Sequence, residues 1–253
     1  MATKKETELW ARRMPPMWDL IALLLGMPEA RVLLWGPPGV GKSWAATHYR
    51  PAGLEDPMLH VITVTEDTPA AELRGHYLMK PGGMAWHDGP GTRAWRTGGR
   101  LVLNELPRAG LDLAVLLHVL LDGRDVASLT LPSGETVQPA QGYSVVATCN
   151  DDPADALDPA LLDRFDVVLN VTAPNPSAFD KLPEPWRAAA RLHATRDPKG
   201  FSLRPFFALH RMIVGGLEPH IAVRSAMRQK EVADEILRGV TVALAGDGAA
   251  VNG

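Results

Sequence analysis

The stretch Gly36-Pro-Pro-Gly-Val-Gly-Lys42-Ser43 carries the clearest chemistry in the chain. It follows the apolar run Val32-Leu33-Leu34-Trp35 and precedes a helix-like segment from Trp44 to Tyr49, so a buried strand here turns into a helix N-terminus. Gly36, Gly39 and Gly41 permit backbone conformations that bring successive N–H groups to bear on one anion, and the helix N-terminus adds partial positive charge. Lys42 can then reach outer phosphates, and Ser43 can place its hydroxyl on a magnesium ion. Gly36, Pro37, Pro38, Gly39, Val40, Gly41, Lys42, Ser43 and Trp44 are accordingly the expected nucleotide contacts. The bland alternative is a Gly/Pro-rich turn with an incidental lysine.

Hydrolysis of a nucleotide needs more than phosphate binding: a magnesium site, a group that orients water and a positive charge at the γ-phosphate. Leu101-Val-Leu-Asn104-Glu105 is an apolar strand finishing in a polar pair, and Glu105 stands where it could orient or deprotonate the attacking water.

The elements that must position these groups follow from apolar patterning. A helix is expected from about Met17 to Leu25, after the break at Pro15-Pro16. Strands are expected at 32–35, at Leu59-His-Val-Ile-Thr-Val64, at 100–103, at Tyr143-Ser-Val-Val-Ala-Thr148 and at 165–171, with helices between most of them. Five such strands indicate a parallel α/β sheet with ligand chemistry at the strand C-termini. Ala109 to Asp122 is too continuously apolar for an exposed helix and should lie against the sheet. Gly-punctuated residues around 75–86 read as a hairpin-like insertion, and Val126–Leu131 with Glu135–Gln138 flank Pro132-Ser-Gly134 as a second hairpin. Composition changes at Ala173-Pro-Asn-Pro176, beyond which only helical segments appear, at about 184–194, 204–214 and 221–240. A small helical second domain is the consequence, with a frayed Gly/Ala-rich tail from Ala245.

The bulk properties narrow the setting. A hydrophobic share of 46% with 22% charged residues is ordinary globular usage, and a net charge of -3 gives no overall basic field for nucleic acid. Cys149 is the single cysteine, so no internal disulfide can form, and it reads as a small core residue of a cytoplasmic protein. The apolar run Leu20 to Met27 is too short to span a bilayer. Asn170-Val-Thr172 matches a glycosylation acceptor but falls in an expected buried strand, which argues against its use.

Further motifs follow the phosphate loop in order: His87-Asp-Gly-Pro90 with Arg93-Ala94, Leu103-Asn-Glu-Leu-Pro-Arg-Ala109, Leu116-Leu117, Leu131-Pro-Ser-Gly-Glu135, Ala147-Thr-Cys-Asn150 and Leu157-Asp-Pro-Ala-Leu-Leu-Asp-Arg-Phe-Asp166. With them the chain resembles the AAA+ ATPases, and among these the MoxR-like, dynein-related branch, from about residue 16 to 240. The resemblance implies a P-loop NTPase core with a five-stranded parallel sheet over residues 1–172, including an N-terminal helical segment 1–30, a small all-helical lid domain over 173–244 and a flexible tail over 245–253. It implies ATP and Mg2+ as cofactors, Asn150 as a sensor of the γ-phosphate or attacking water, Arg164 as an arginine finger offered to a neighbouring subunit, and Arg204 as a second sensor linked to the lid. Arg108 is a weaker candidate at the subunit interface. The implied assembly is a ring, a hexamer, that remodels or activates a protein client, with a von Willebrand A-type domain as the expected partner module and no membrane span. The insertions at 75–86 and 126–138 correspond to hairpins facing the pore or a partner, with Tyr77, Leu78 and Met79 either gripping a polypeptide or packing on their own domain.

One position departs from the family pattern, which ends this strand in Asp-Glu: here Asn104 precedes Glu105. Asn104 can accept a hydrogen bond from a magnesium-bound water but lacks the charge that holds the ion, so slow or partner-dependent hydrolysis is expected. Two other readings stay open: an ATP-gated assembly module with little turnover, which Asn104 favours, and a motor on nucleic acid, for which Arg74, His76 and Lys80 supply few basic residues.

Overall fold

The computed structural model describes residues 15–196, 201–227 and 230–238. Helix α1 (Met17–Leu25) enters directly after Pro16 and buries Trp18, Ile21 and Leu25 on one face. Strand β1 (Arg31–Trp35) leads through the glycine-rich loop into α2 (Lys42–His48). Then come β2 (Leu59–Thr63), α3 (Ala70–Arg74), the hairpin strands β3 (Gly75–Lys80) and β4 (Gly83–Asp88), and α4 (Pro90–Thr97). Strand β5 (Arg100–Asn104) is followed by a 3-10 turn (Leu106–Arg108), α5 (Leu111–Leu120), β6 (Leu129–Thr130), β7 (Thr136–Val137) and β8 (Ser144–Cys149). Short helices α6 (Pro153–Ala156) and α7 (Pro159–Leu162) precede β9 (Val167–Asn170). Beyond it lie α8 (Pro176–Phe179), α9 (Trp186–Arg196), α10 (Arg204–Val214), α11 (Pro219–Ala226) and a last helical stretch at 230–238.

Five strands form one parallel sheet in the order β2-β5-β8-β1-β9, as the apolar runs implied. The central strands β5 and β8 are buried along almost their whole length, whereas the edge strands β2 and β9 alternate. A central parallel strand is covered on both faces and therefore reads as a continuous apolar run. The expectation of a buried last strand is corrected by this placement. Strand β9 lies at the sheet edge, Val168 is exposed and so is Asn170, so burial gives no argument against the Asn170 acceptor.

Arg100, at the start of β5, is a fully buried cation that forms no ion pair among the described residues. Its guanidinium donates to Leu25 O at the end of α1, to Ala46 O and Tyr49 O at the end of α2, and to Ser144 Oγ. Carbonyls at helix C-termini lack intrahelical donors and carry partial negative charge, so one arginine here terminates two helices. Burial, with Arg50 nearby, pushes its pKa down to about 10.

Helix α5 also departs from expectation. It buries Leu113, Leu116, Leu117 and Leu120, spaced one helical face apart, and packs chiefly on α3 and α7. Leu111 and Val115 point elsewhere and are 89% and 69% exposed, so the apolar run does not mean burial on every side.

Both insertions are hairpins. Strands β3 and β4 pair Tyr77 with Trp86 and Met79 with Met84, and β6 pairs with β7. Arg96 on α4 ties the two together, donating to Asp88 Oδ2 at 2.7 Å and through both terminal nitrogens to Glu135 at 2.6 and 2.7 Å. This bidentate pairing holds the exposed Glu135 carboxyl below its ordinary pKa and raises that of Arg96. Tyr77 packs at home, edge-on to Trp86 and with its hydroxyl donating to Pro132 O, while Met79 is 81% exposed.

The chain divides into two compact units. The first takes the described residues of Met1–Leu34, Ser43–Cys149 and Pro153–Leu169; the second takes those of Trp35–Lys42, Asn150–Asp152 and Asn170–Gly253. The second has its own core, in which Phe179, Trp186, Phe201, Leu203, Phe206, Leu209, Val223 and Ile236 meet. Its final helical segment is interrupted where Met227 turns extended and buries its side chain. The tail expected to fray lies outside the described residues, as do 1–14 of the N-terminal segment.

Candidate functional site

The loop after β1 has the conformation its glycines allow. Gly36 has φ of 135° and Gly39 of 80°, both in the region that side chains avoid. A Cβ on Gly36 would lie 2.4 Å from Val171 O, and one on Gly39 would lie 2.0 Å from Ser202 Oγ, so neither position has room for a side chain. Pro37 and Pro38 bring no N–H and can shape the loop but not donate to a phosphate. N–H groups are carried by Gly39, Val40, Gly41, Lys42 and Ser43.

Lys42 is 6% exposed, and its ammonium donates to Gly36 O at 2.6 Å, Pro37 O at 2.8 Å and Asn150 Oδ1 at 3.1 Å. Two residues assigned to one nucleotide site from separate motifs are therefore in direct contact. The outer rim of the loop is held as well: Val40 O accepts from Asn175 N at 2.9 Å and Gly39 O from Leu203 N at 3.4 Å. Arg204 opens α10 one residue later, with its backbone N–H donating to Ser202 Oγ and its side chain exposed. Ser43 is exposed in the first turn of α2. The Trp44 ring is stacked on His48 at 4.3 Å between centroids and meets Tyr49 edge-on.

At the end of β5, Asn104 stands opposite Thr148 of β8, and Thr148 Oγ1 donates to Asn104 Oδ1 at 3.0 Å. Glu105 follows in the left-handed conformation, φ 60° and ψ 40°. A non-glycine residue there costs about 1–3 kcal/mol and persists only where its surroundings enforce it. The enforcing contacts are the turn bond from Arg108 N to Glu105 O and the burial of Leu106. The Arg108 side chain lies 3.8 Å from Glu105 Oε2, so Arg108 touches the candidate base of its own chain.

Arg164 is held within its own unit. Its Nε donates to Asp122 Oδ1 at 2.9 Å and His118 O at 3.2 Å, and Nη1 donates to Ala160 O at 2.6 Å. Neither Asp163 nor Asp166 is its partner; Asp166 pairs with Arg31. Sequence reasoning assigned no role to Thr148 or Asp122. Thr148 stood inside a quoted motif, whereas nothing local marks Asp122.

Magnesium asks for hard oxygen donors, charged ones above all. Ser43 offers a hydroxyl, and Asn104 offers a neutral amide oxygen that accepts from Thr148 and keeps one further lone pair. No cluster of three or more His, Cys, Asp or Glu side chains suited to a metal occurs among the described residues. Asn104 could hold the ion through a bound water but brings no charge to it.

A glycine-rich loop between a parallel strand and a helix, with its lysine turned into the loop, defines a P-loop nucleotide-binding protein of the α/β class. Residues 31–165, more than half of the chain, match the profile of the AAA domain (dynein-related subfamily), and the chain belongs to that family, in the MoxR-like branch of the AAA+ ATPases. It is similar to the protein NorQ of Paracoccus denitrificans, 37% identical over 149 residues, which cover 58% of this chain and 54% of NorQ. The denitrification regulatory protein NirQ of Pseudomonas aeruginosa is 38% identical over 125 residues, 49% of this chain and 46% of NirQ. CbbQ of Hydrogenophilus thermoluteolus is 34% identical over 119 residues, 47% of this chain and 43% of CbbQ. The chain spans about half the length of the curated relatives it matches. No helix of the described residues is long and apolar enough to cross a membrane.

Proposed function

We propose that this protein binds and hydrolyses ATP as a ring of subunits and uses the cycle to remodel or activate a protein client in the cytoplasm. The observation that carries the reading is the loop itself, with its positive-φ glycines and the Lys42 ammonium 3.1 Å from Asn150 Oδ1. In this reading the loop N–H groups and Lys42 bind the β- and γ-phosphates, and Lys42 exchanges the carbonyls of Gly36 and Pro37 for phosphate oxygens. Glu105 orients the attacking water and accepts its proton, Asn150 hydrogen-bonds the γ-phosphate, and Arg164 of a neighbouring subunit meets the charge that builds on the phosphoryl oxygens. Arg204 reports occupancy to the helical residues 173–244, the proposed lid. Family membership supports these roles, and the regulatory function in the name of NirQ supports a regulatory one. A hexamer and a client with a von Willebrand A-type domain are the assembly and partner we infer.

A second reading, an ATP-gated module with little turnover, is favoured by Asn104 in place of a carboxylate and by the Arg164 to Asp122 pairing. Phosphate release by wild type, Glu105→Gln and Arg164→Ala, with sizing of the protein with and without ATP, separates the two. Turnover lost in both variants and an ATP-dependent oligomer support the motor. Undiminished client action by Glu105→Gln supports the switch. A monomer that fails to bind labelled ATP would overturn both.

A further inference from the structure

The strained residue at the end of β5 is held twice by one neighbour. Glu105 stands at φ 60° and ψ 40°, and Arg108 N donates to Glu105 O at 3.0 Å, closing the 3-10 turn Leu106–Arg108. Leu106 is fully buried and Pro107 fixes one backbone torsion of the turn, so its course is set from inside. Three residues make one turn of such a helix, and side chains at i and i+3 therefore lie over one another. Arg108 Nε comes to 3.8 Å from Glu105 Oε2, with the Arg108 side chain 65% exposed and that of Glu105 36% exposed. Both residues and the turn between them belong to the same compact unit.

A general base acts only where its carboxylate lies within hydrogen-bond reach of the water it deprotonates, and a glutamate side chain left to itself spreads over several rotamers. An ion pair to one carboxylate oxygen narrows that spread. It leaves base function intact, because a carboxylate carries lone pairs on both oxygens. We infer that Arg108 is the positioning residue for Glu105, acting within its own subunit on the side chain that takes the proton, and not as a contact across a subunit interface. The inference rests on the role given to Glu105 above and adds the residue that holds it. An exposed pair of this kind is screened by solvent, so its effect on rate is modest.

The test is steady-state ATP turnover and sizing of wild type, Arg108→Ala and Arg108→Lys. Alanine retains the backbone bond to Glu105 O, so it removes the side-chain contact alone. Arg108→Ala should lower kcat about threefold to fivefold, with KM within about twofold of wild type and the same oligomer on sizing. Arg108→Lys restores a cation and should recover kcat to within about twofold of wild type. Arg108→Ala subunits mixed with Glu105→Gln subunits should turn over no faster than the mean of the two alone, because every subunit then lacks one member of the pair. A kcat for Arg108→Ala within about twofold of wild type overturns the inference, and so does a lysine variant no faster than the alanine variant. A mixture faster than that mean, or an Arg108→Ala protein that no longer assembles as wild type does, assigns Arg108 to the neighbouring subunit and overturns it as well. Wild type without turnover, or turnover that Glu105→Gln leaves unchanged, would instead overturn the reading of Glu105 as the base and this inference with it.

Discussion

The Lys42 ammonium and the Asn150 side chain are hydrogen-bonded, Nζ to Oδ1, at 3.1 Å. A lysine that is 6% exposed needs acceptors for its protons, and here two loop carbonyls and one amide oxygen supply them. Phosphate binding is then an exchange of partners in a preformed cradle. Lys42→Met should weaken ATP binding by roughly a hundredfold or more. Asn150→Asp should hold the ammonium with a full charge and weaken ATP binding by about tenfold without lowering the melting temperature. An Asn150→Asp variant that binds ATP as wild type does would show that the lysine contact is incidental.

The segment before α10 lies against the loop so closely that Gly39 has no room for a methyl group, with Ser202 Oγ 2.0 Å from where it would stand. Gly39→Ala combines this collision with a φ of 80° and should cost about 1–3 kcal/mol of stability. Adding Ser202→Gly should recover the steric part and leave the backbone part. Urea unfolding of the single and double variants measures both, and full recovery in the double variant would show that the backbone strain is negligible.

In the proposed ring, Arg164 must leave Asp122 to reach a neighbouring subunit. Both side chains are about one third exposed, so solvent screens the pair and its loss should change stability by no more than about 1 kcal/mol. Asp122→Asn should release the guanidinium and raise ATP turnover of the assembled protein about threefold to tenfold, whereas Arg164→Ala should abolish it. Turnover in Asp122→Asn at or below the wild-type level would argue that Asp122 supports Arg164 instead of restraining it.

His60 on β2 has a buried Nε2 with no hydrogen-bond partner. Burial first, and Arg93 second, lower its pKa from 6.5. The unfolded chain therefore takes up a proton as pH falls through 6.5 while the folded chain stays neutral there. Stability from this residue is full above pH 6.5 and falls below it, until the lowered folded pKa is passed. The slope is at most about 1.4 kcal/mol per pH unit, and His60→Gln should flatten it in urea titrations between about pH 5 and 7. An unchanged slope in that variant would assign the acid sensitivity to other groups.

Much of the fold was legible in residues alone because its signals are local. The phosphate loop is readable because its conformation needs glycine at fixed places between a strand and a helix. The buried strands read as apolar runs because neighbouring elements cover them on both faces, and the β3–β4 hairpin was marked by its glycines. Patterning reports a face or a period, however, and not the partner that covers it. Leu111 and Val115 therefore read as core until the packing of α5 left them in solvent. Four relationships were decided only by the tertiary structure: Thr148 on Asn104, Asp122 on Arg164, Ser202 on Gly39, and Arg100 across the ends of two helices. Each joins residues far apart in the chain through contacts that carry no periodicity, so only the folded arrangement brings the two sides together.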